Sequence, residues 1–240
     1  MIPAAGSLSP VLRPRDLALN TGIYLVTDTA QCGARGVVDT VRAAVAGGIR
    51  TVQIREKHAS AADFYALVLA VAQAVRDQAA SDQAGGDQTL VLVDDRVDIY
   101  LAARAAGARV HGVHVGQSDL PAAAVRAVVG PDAVVGLTAN TAAHLDAVRA
   151  LTPGTVDHLG AGVIRPTSTK PDHPEPLGVA GFQAFAAASP VPCVAIGGIE
   201  LADIPALRAA GASGAAVVSA ICTATDPLRS ARELVAAWNA

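Results

Sequence analysis

Short aliphatic runs alternate with longer helical segments along almost the whole chain. The runs Ile23–Thr27, Thr51–Arg55, Thr89–Asp94, Val110–Val115, Val134–Thr138, His158–Ala161, Pro192–Ile196 and Gly214–Val218 read as strands. Between them, segments near 36–46, 60–80, 98–106, 120–129, 141–151, 178–188, 202–210 and 227–238 read as helices. Ser60 reads as an N-cap with Asp63 in the first turn, and Pro121, Pro205 and Pro227 stand near helix starts, where a missing N–H costs little. Ala46-Gly47-Gly48, Ala106-Gly107-Ala108 and Ala210-Gly211-Ala212 each end a helix just before a strand, the glycine permitting a left-handed stop. This strict alternation of eight strands with eight helices predicts an α/β fold, a single closed TIM (β/α)8 barrel, with an open doubly wound sheet as the alternative.

One strand breaks the aliphatic pattern. In Thr51–Lys57, T-V-Q-I-R-E-K, a period of two puts Gln53, Arg55 and Lys57 on one face and Val52, Ile54 and Glu56 on the other. Burying an amide and two cations without partners would cost about 2–7 kcal/mol for each polar group. An anion is therefore expected where this strand ends, with Glu56 packing or pairing outside the barrel.

Composition narrows the picture. The chain has 240 residues, of which 52% are hydrophobic but only 3% aromatic, so the core must be built from Ala, Val, Leu and Ile. A net charge of −3 gives no sign of nucleic acid or an anionic membrane as partner. A local cationic cluster in such a chain points instead to a small anionic ligand. Cys32, Cys193 and Cys222 show neither metal spacing nor a disulfide framework, which fits a reducing cytoplasm. Residues 1–20 carry Pro3, Pro10 and Pro14 without a long apolar run, and are read as a flexible extension ahead of a catalytic domain spanning 21–240.

The unusual polar residues gather at the predicted C-terminal strand ends. Strand three ends in Asp94-Asp95-Arg96, strand four delivers His114, Gln117 and Asp119, and strand five ends at Thr138. Strand six runs into Arg165-Pro166-Thr167-Ser168-Thr169-Lys170, strand seven into Gly197-Gly198, and strand eight into Val218-Ser219. In a barrel these ends share the rim that carries the active site. Backbone N–H groups around Gly198 and Ser219 suit a monophosphate. Arg55, Lys57 and Lys170 beside Asp95 and Asp119 suit a diphosphate held with a divalent metal. A plain set of rim salt bridges is the alternative for that second cluster. Two such sites imply two small-molecule substrates, and no nucleophile triad or general-base histidine is evident. Such a site stabilises departing charge.

Collinear pieces between about residues 22 and 222 resemble the thiamine-phosphate synthase family. They are Y-L-V-T-D (24–28), Q-I-R-E-K (53–57), D-D-R-V-D (94–98), G-V-H-V-G-Q-S-D-L (112–120), G-L-T (136–138), P-T-S-T-K (166–170), A-I-G-G-I (195–199) and V-V-S-A-I (217–221). The resemblance implies a transferase that joins 4-amino-2-methyl-5-hydroxymethylpyrimidine diphosphate to 4-methyl-5-(2-phosphoethyl)thiazole. Thiamine phosphate and pyrophosphate are the products, and diphosphate leaves before the thiazole nitrogen attacks. It implies that Gln53, Arg55, Lys57 and Lys170 contact the pyrimidine diphosphate, that Thr138 hydrogen-bonds the diphosphate, and that Asp95 and Asp119 hold Mg2+. Thr167, Thr169, Gly198, Val218 and Ser219 would bind the thiazole phosphate.

Some positions depart from the family pattern. Asp94 stands where Asn is common, and either adds a metal contact or weakens diphosphate binding. Thr138 replaces Ser and keeps a hydroxyl, Asn140 stands where His is frequent, and Val163 and Arg165 replace Pro and an aromatic residue. Arg165 is expected to point to solvent. A thiazole tautomerase-like barrel enzyme and a non-catalytic phosphate-ligand-binding paralogue are the competing readings, and a homo-oligomer is left open.

Overall fold

The computed structural model describes residues 22–81, 89–167 and 175–240. Eight parallel strands close in sequence order, with β8 pairing back onto β1. They are β1 (Gly22–Val26), β2 (Thr51–Ile54), β3 (Leu90–Asp94), β4 (Gly112–Val115), β5 (Val134–Thr138), β6 (His158–Gly162), β7 (Cys193–Ile196) and β8 (Gly214–Val217). The expected closed barrel is therefore the fold, and the β1–β8 pairing rules out the open sheet. The helices are α1 (Thr29–Cys32), α2 (Gly36–Ala46), α3 (Ala61–Ser81), α4 (Val97–Ala105), α5 (Ala122–Val129), α6 (Ala142–Arg149), α7 (Gly178–Ala188), α8 (Ile204–Ala209), α9 (Ser219–Cys222) and α10 (Pro227–Asn239). The sequence pattern missed α1, α9 and the 3-10 turn at Gly33–Arg35, because three or four residues hold no readable period, and it merged the 3-10 turn at Leu201–Asp203 with α8. Among the described residues, no helix is long and apolar enough to cross a membrane.

Local chemistry explains where helices start and stop. Ser60 Oγ accepts from the Asp63 N–H at 3.1 Å and donates to the Asp63 carboxylate at 2.7 Å, so the expected N-cap forms. The three glycine stops repeat one hydrogen-bond pattern. Gly48, Gly107 and Gly211 have φ of 105°, 81° and 87°. The next residue's N–H reaches back five positions in each case: Ile49 to Ala44 at 3.1 Å, Ala108 to Ala103 at 3.0 Å and Ala212 to Leu207 at 3.1 Å. This is the Schellman closure, which satisfies otherwise orphaned carbonyls and turns the chain into the next strand.

The core has two layers. Aliphatic side chains such as Leu25, Ile54, Val93, Val113, Val135 and Leu159 point outward and pack under the helices, with Phe64 and Phe182 among the few aromatics there. Inside the barrel, Tyr24, Val26, Leu90, Leu92, Val134, Val194 and Ala216 form a smaller cluster. The remainder of the interior is polar. Gln53 is buried and donates to the Tyr24 hydroxyl at 2.9 Å. His114 and His158, also buried, lie with ring centroids 5.6 Å apart, and Tyr24 meets His158 edge-on at 6.1 Å.

Glycine makes this histidine pair possible. Strand register sets Gly136 beside both His114 and His158. A Cβ on Gly136 would lie 2.4 Å from His114 Nδ1 and 2.5 Å from His158 Nε2. Among the described residues, His114 Nδ1 and both His158 nitrogens have no hydrogen-bond partner. Burial holds both rings neutral. It lowers His158 to about 3, with the neighbouring His114 adding to the effect. It lowers His114 to about 4, helped by the Lys57 charge.

Two outcomes follow from this interior. Gly136→Ala is expected to cost about 1–3 kcal/mol, the usual penalty for overpacking. The check is a lower urea midpoint at unchanged slope; an unchanged midpoint would mean that the rings are not packed against that strand. The second outcome concerns pH. His158 titrates near 6.5 when unfolded but near 3 when folded. Below pH 6.5 the unfolded chain therefore binds a proton that the folded chain refuses, and stability falls as pH drops. Subtracting the unfolding free energy of a His158→Leu variant from that of the parent should leave a slope of about 1.4 kcal/mol per pH unit between roughly pH 6 and 4. Parallel curves would show that His158 is not held neutral by burial.

Candidate active site

Strand β2 ends at Ile54, yet its period of two persists. The Arg55 N–H donates to Thr27 Oγ1 at 3.0 Å, which continues the β1–β2 contact and directs the Arg55 side chain to the rim. Its Nη1 lies 3.0 Å from Asp28 Oδ2, and its Nε lies 3.9 Å from Asp94 Oδ2. Asp28 also caps α1, accepting from the Gln31 N–H at 3.0 Å. Lys57 Nζ pairs with Asp94 at 3.0 Å and touches Asp95 as well. Glu56 turns away from these groups. Among the described residues it makes no ion pair, and instead accepts from the Thr29 hydroxyl and the His58 and Ala59 N–H groups, bracing the loop.

Asp94 and Asp95 are consecutive, and a regular strand would send them to opposite faces. Asp95 has a φ of 56°, the only positive φ among the described non-glycine residues. Aspartate tolerates this left-handed conformation better than bulkier residues do. The twist lets both carboxylates reach Lys57, and the Asp95 N–H still donates to the His114 carbonyl at 2.8 Å. Burial pushes Asp95 up to about 6; the negative charge of Asp94 and a side-chain hydrogen bond with Asp119 add to this, while Lys57 opposes it. Burial likewise raises Asp94 against the pull of Lys57. For Lys57, burial favours the neutral amine, but Asp94 and Asp95 outweigh it and raise the ammonium pKa.

Among the described residues, four carboxylates (Asp28, Asp94, Asp95 and Asp119) meet two cations (Arg55 and Lys57) here. The surplus of hard, negative oxygen fits a divalent cation. No group of three or more His, Cys, Asp or Glu side chains forms a metal cage by itself among the described residues. Mg2+ typically takes one or two protein carboxylates and fills its remaining positions with phosphate oxygens and waters.

Strands β4 and β5 supply a second cluster. Asp119 Oδ2 accepts from the Gly116 N–H at 2.7 Å, which folds the loop after β4 back on itself. His114 Nε2 is 3.0 Å from Thr138 Oγ1, and Gln117 Nε2 donates to the Thr138 carbonyl at 2.5 Å. Thr138 is thus held at its hydroxyl by His114 and at its carbonyl by Gln117.

On the opposite arc, β7 pairs with β8 at Ile196↔Ala216; Gly197 and Gly198 follow β7, and Val218 stands before α9. Gly197 and Gly198 have φ of 99° and 63°. Their turn is covered by the segment after β6: a Cβ on Gly197 would meet Val163 at 2.5 Å, and one on Gly198 would meet Arg165 and Pro166 at 2.8 Å. Arg165 does not point only to solvent. Its Nη2 and Nε donate to Asp203 Oδ1 at 2.6 and 3.2 Å. Arg96 pairs with Asp98, at 2.8 and 2.6 Å. Thr167 is described, whereas Thr169 and Lys170 lie outside the described residues.

The structure thus gathers Arg55, Lys57, Asp94, Asp95 and Asp119, sets Thr138 beside His114, and buries Gln53 in the barrel. Sequence reasoning assigned no role to Tyr24, Thr27, Asp28 or His158. Thr27 and Asp28 follow a strand end like the other rim residues and were open to the same reasoning. Tyr24 and His158 carried no such signal.

Residues 23–221 match the model of a family described as thiamine monophosphate synthase. A thiamine-phosphate synthase of Corynebacterium efficiens is 46% identical over 203 residues, covering 85% of this chain and 89% of the relative. One from Laribacter hongkongensis is 42% identical over 219 residues, covering 91% and 95%. Among solved structures, thiamine phosphate pyrophosphorylase from Pyrococcus furiosus superposes with a TM-score of 0.77 at 26% identity, covering 93% of this chain and 98% of that one. A closed barrel with this charged rim, matched along nearly its whole length, belongs to the thiamine monophosphate synthase family.

Proposed function

We propose that the chain transfers the aminopyrimidine methylene group of 4-amino-2-methyl-5-hydroxymethylpyrimidine diphosphate to the nitrogen of 4-methyl-5-(2-phosphoethyl)thiazole, forming thiamine phosphate and pyrophosphate. The observation that carries this reading is Lys57 held between Asp94 and Asp95, with Arg55 and Asp119 alongside. Such a cluster has cations for diphosphate oxygens and surplus carboxylate for a metal. Asp95 and Asp119 would hold Mg2+, which when bound neutralises charge on the leaving diphosphate.

The remaining work falls to side chains. Arg55 and Lys57 exchange carboxylate partners for diphosphate oxygens, so their positive charge is in place before the C–O bond breaks. His114, neutral at working pH, donates its Nε2–H to Thr138 Oγ1, which frees the threonine hydroxyl proton for the diphosphate. Gln53 is pinned through its nitrogen by Tyr24, and its carboxamide oxygen is left to accept from the pyrimidine. Thr167, Thr169, Gly198, Val218 and Ser219 hold the thiazole phosphate, and Lys170 joins the diphosphate contacts. Asp94 serves by fixing Lys57 and Arg55. No base is required, because the aminopyrimidine stabilises the methylene cation and the thiazole nitrogen captures it. The protein contributes position and preorganised charge.

Mixing both substrates with the purified protein and Mg2+ should release one pyrophosphate per thiamine phosphate. EDTA should abolish this, and turnover that survives it would remove the metal assignment. Asp119→Asn retains an oxygen for the Gly116 N–H, so it should fold normally yet lose activity on the order of 10²-fold. Normal turnover by that variant would leave Asp119 a purely structural role. Arg55→Ala should mainly raise the KM for the pyrimidine diphosphate; an unchanged KM would put the diphosphate elsewhere.

A further inference from the structure

We propose that the Arg165–Asp203 ion pair is a positioning latch for the monophosphate substrate, acting through the Arg165–Thr167 backbone without touching the phosphate. The inference rests on the reading that Thr167 and Gly198 receive the thiazole phosphate.

Asp203 is the fixed half of the pair. Its side chain is only 6% exposed. Its Oδ2 accepts from the Glu200 N–H at 3.0 Å, and the Glu200 side chain reciprocates at the Asp203 backbone in a capping box. One carboxylate oxygen thus anchors the 3-10 turn ahead of α8, and Oδ1 remains for Arg165. Arg165 is the adjustable half, with 53% of its side chain exposed. Because the carboxylate is already immobile, only the arginine loses rotamer freedom when the pair forms.

The anchored segment lies directly on the phosphate turn. The Ile164 N–H donates to the Ile196 carbonyl and the Arg165 N–H to the Gly197 carbonyl, each at 3.0 Å. Gly198 lies so close beneath that an added Cβ would sit 2.8 Å from Arg165 Cβ and from the Pro166 carbonyl. The guanidinium meanwhile is engaged by Asp203 through Nε and Nη2. Releasing it should let Pro166 and Thr167 drift over a turn that stays in place. The penalty should fall on the monophosphate substrate and largely spare the diphosphate, whose contacts other than Lys170 come from β2 to β5 across the barrel.

The test uses Arg165→Met, Asp203→Asn, their double variant and Arg165→Lys, with steady-state kinetics for each substrate and calorimetric binding of the thiazole phosphate. Both single variants should raise the KM and Kd for thiazole phosphate by about fivefold, the size one partly exposed ion pair supports. The kcat and the KM for pyrimidine diphosphate should stay within about twofold, which a general loss of structure would not allow. The double variant should be no worse than either single one, and Arg165→Lys should recover most of the affinity. A defect in Arg165→Met that is absent from Asp203→Asn would overturn the latch, because Arg165 would then touch the phosphate itself. Equal losses for both substrates, or none, would overturn it as well. If the parent protein binds thiazole phosphate but releases no pyrophosphate, the proposed reaction fails while the Kd series still decides the latch.

Discussion

Lys57 is held between two carboxylates that a regular strand would point in opposite directions, and the charged rim is arranged around that contact. The left-handed turn at Asp95 brings the pair together. Arg55 reaches the same Asp94 from one side and Asp28 from the other, and Asp119 adds its charge from the loop after β4. Burial, with the neighbouring Asp94 charge, raises the pKa of Asp95 against the pull of Lys57. The arrangement is stable enough to fold and dissatisfied enough to bind, which is how preorganised electrostatics operates.

The barrel beneath follows a related logic. One part of its interior is ordinary aliphatic packing. The other holds Gln53, Tyr24, His114 and His158, a set that a cavity built for stability alone would replace with leucine or valine. His158 has neither ring nitrogen partnered among the described residues. Its neighbours Tyr24 and His114 lead, through Gln53 and Thr138, to residues assigned to the diphosphate substrate. Stability lost in the interior is thereby tied to groups on the rim. Gly136 supplies the space that lets this happen without distorting the strands.

Much of this was legible in the chain. The aliphatic runs located all eight strands because a buried parallel strand leaves little choice of residue. Gln53, Arg55 and Lys57 stood out because period-two spacing outlasts the strand that sets it. Asp95 was legible as a rim carboxylate from its place at a strand end, though not how it reaches Lys57. Alternation assigns it the face opposite Asp94, and only the backbone twist brings it back. The histidine pair was hidden because the residues sit on β4 and β6 and meet only across a glycine on β5. Arg165 finds its partner 38 residues away in a 3-10 turn, a separation that no local pattern encodes. Glu56 satisfies loop N–H groups, a role its charge alone did not suggest.

On the proposed reading, the rim carboxylates and cations together form one receptor, for a diphosphate and its metal jointly. Calorimetric titration of pyrophosphate into the protein, with and without Mg2+, tests this most directly. Tight binding is expected only when both are present, and it should be lost in Asp95→Asn even at saturating Mg2+. Equal pyrophosphate affinity without Mg2+, or in Asp95→Asn, would contradict it.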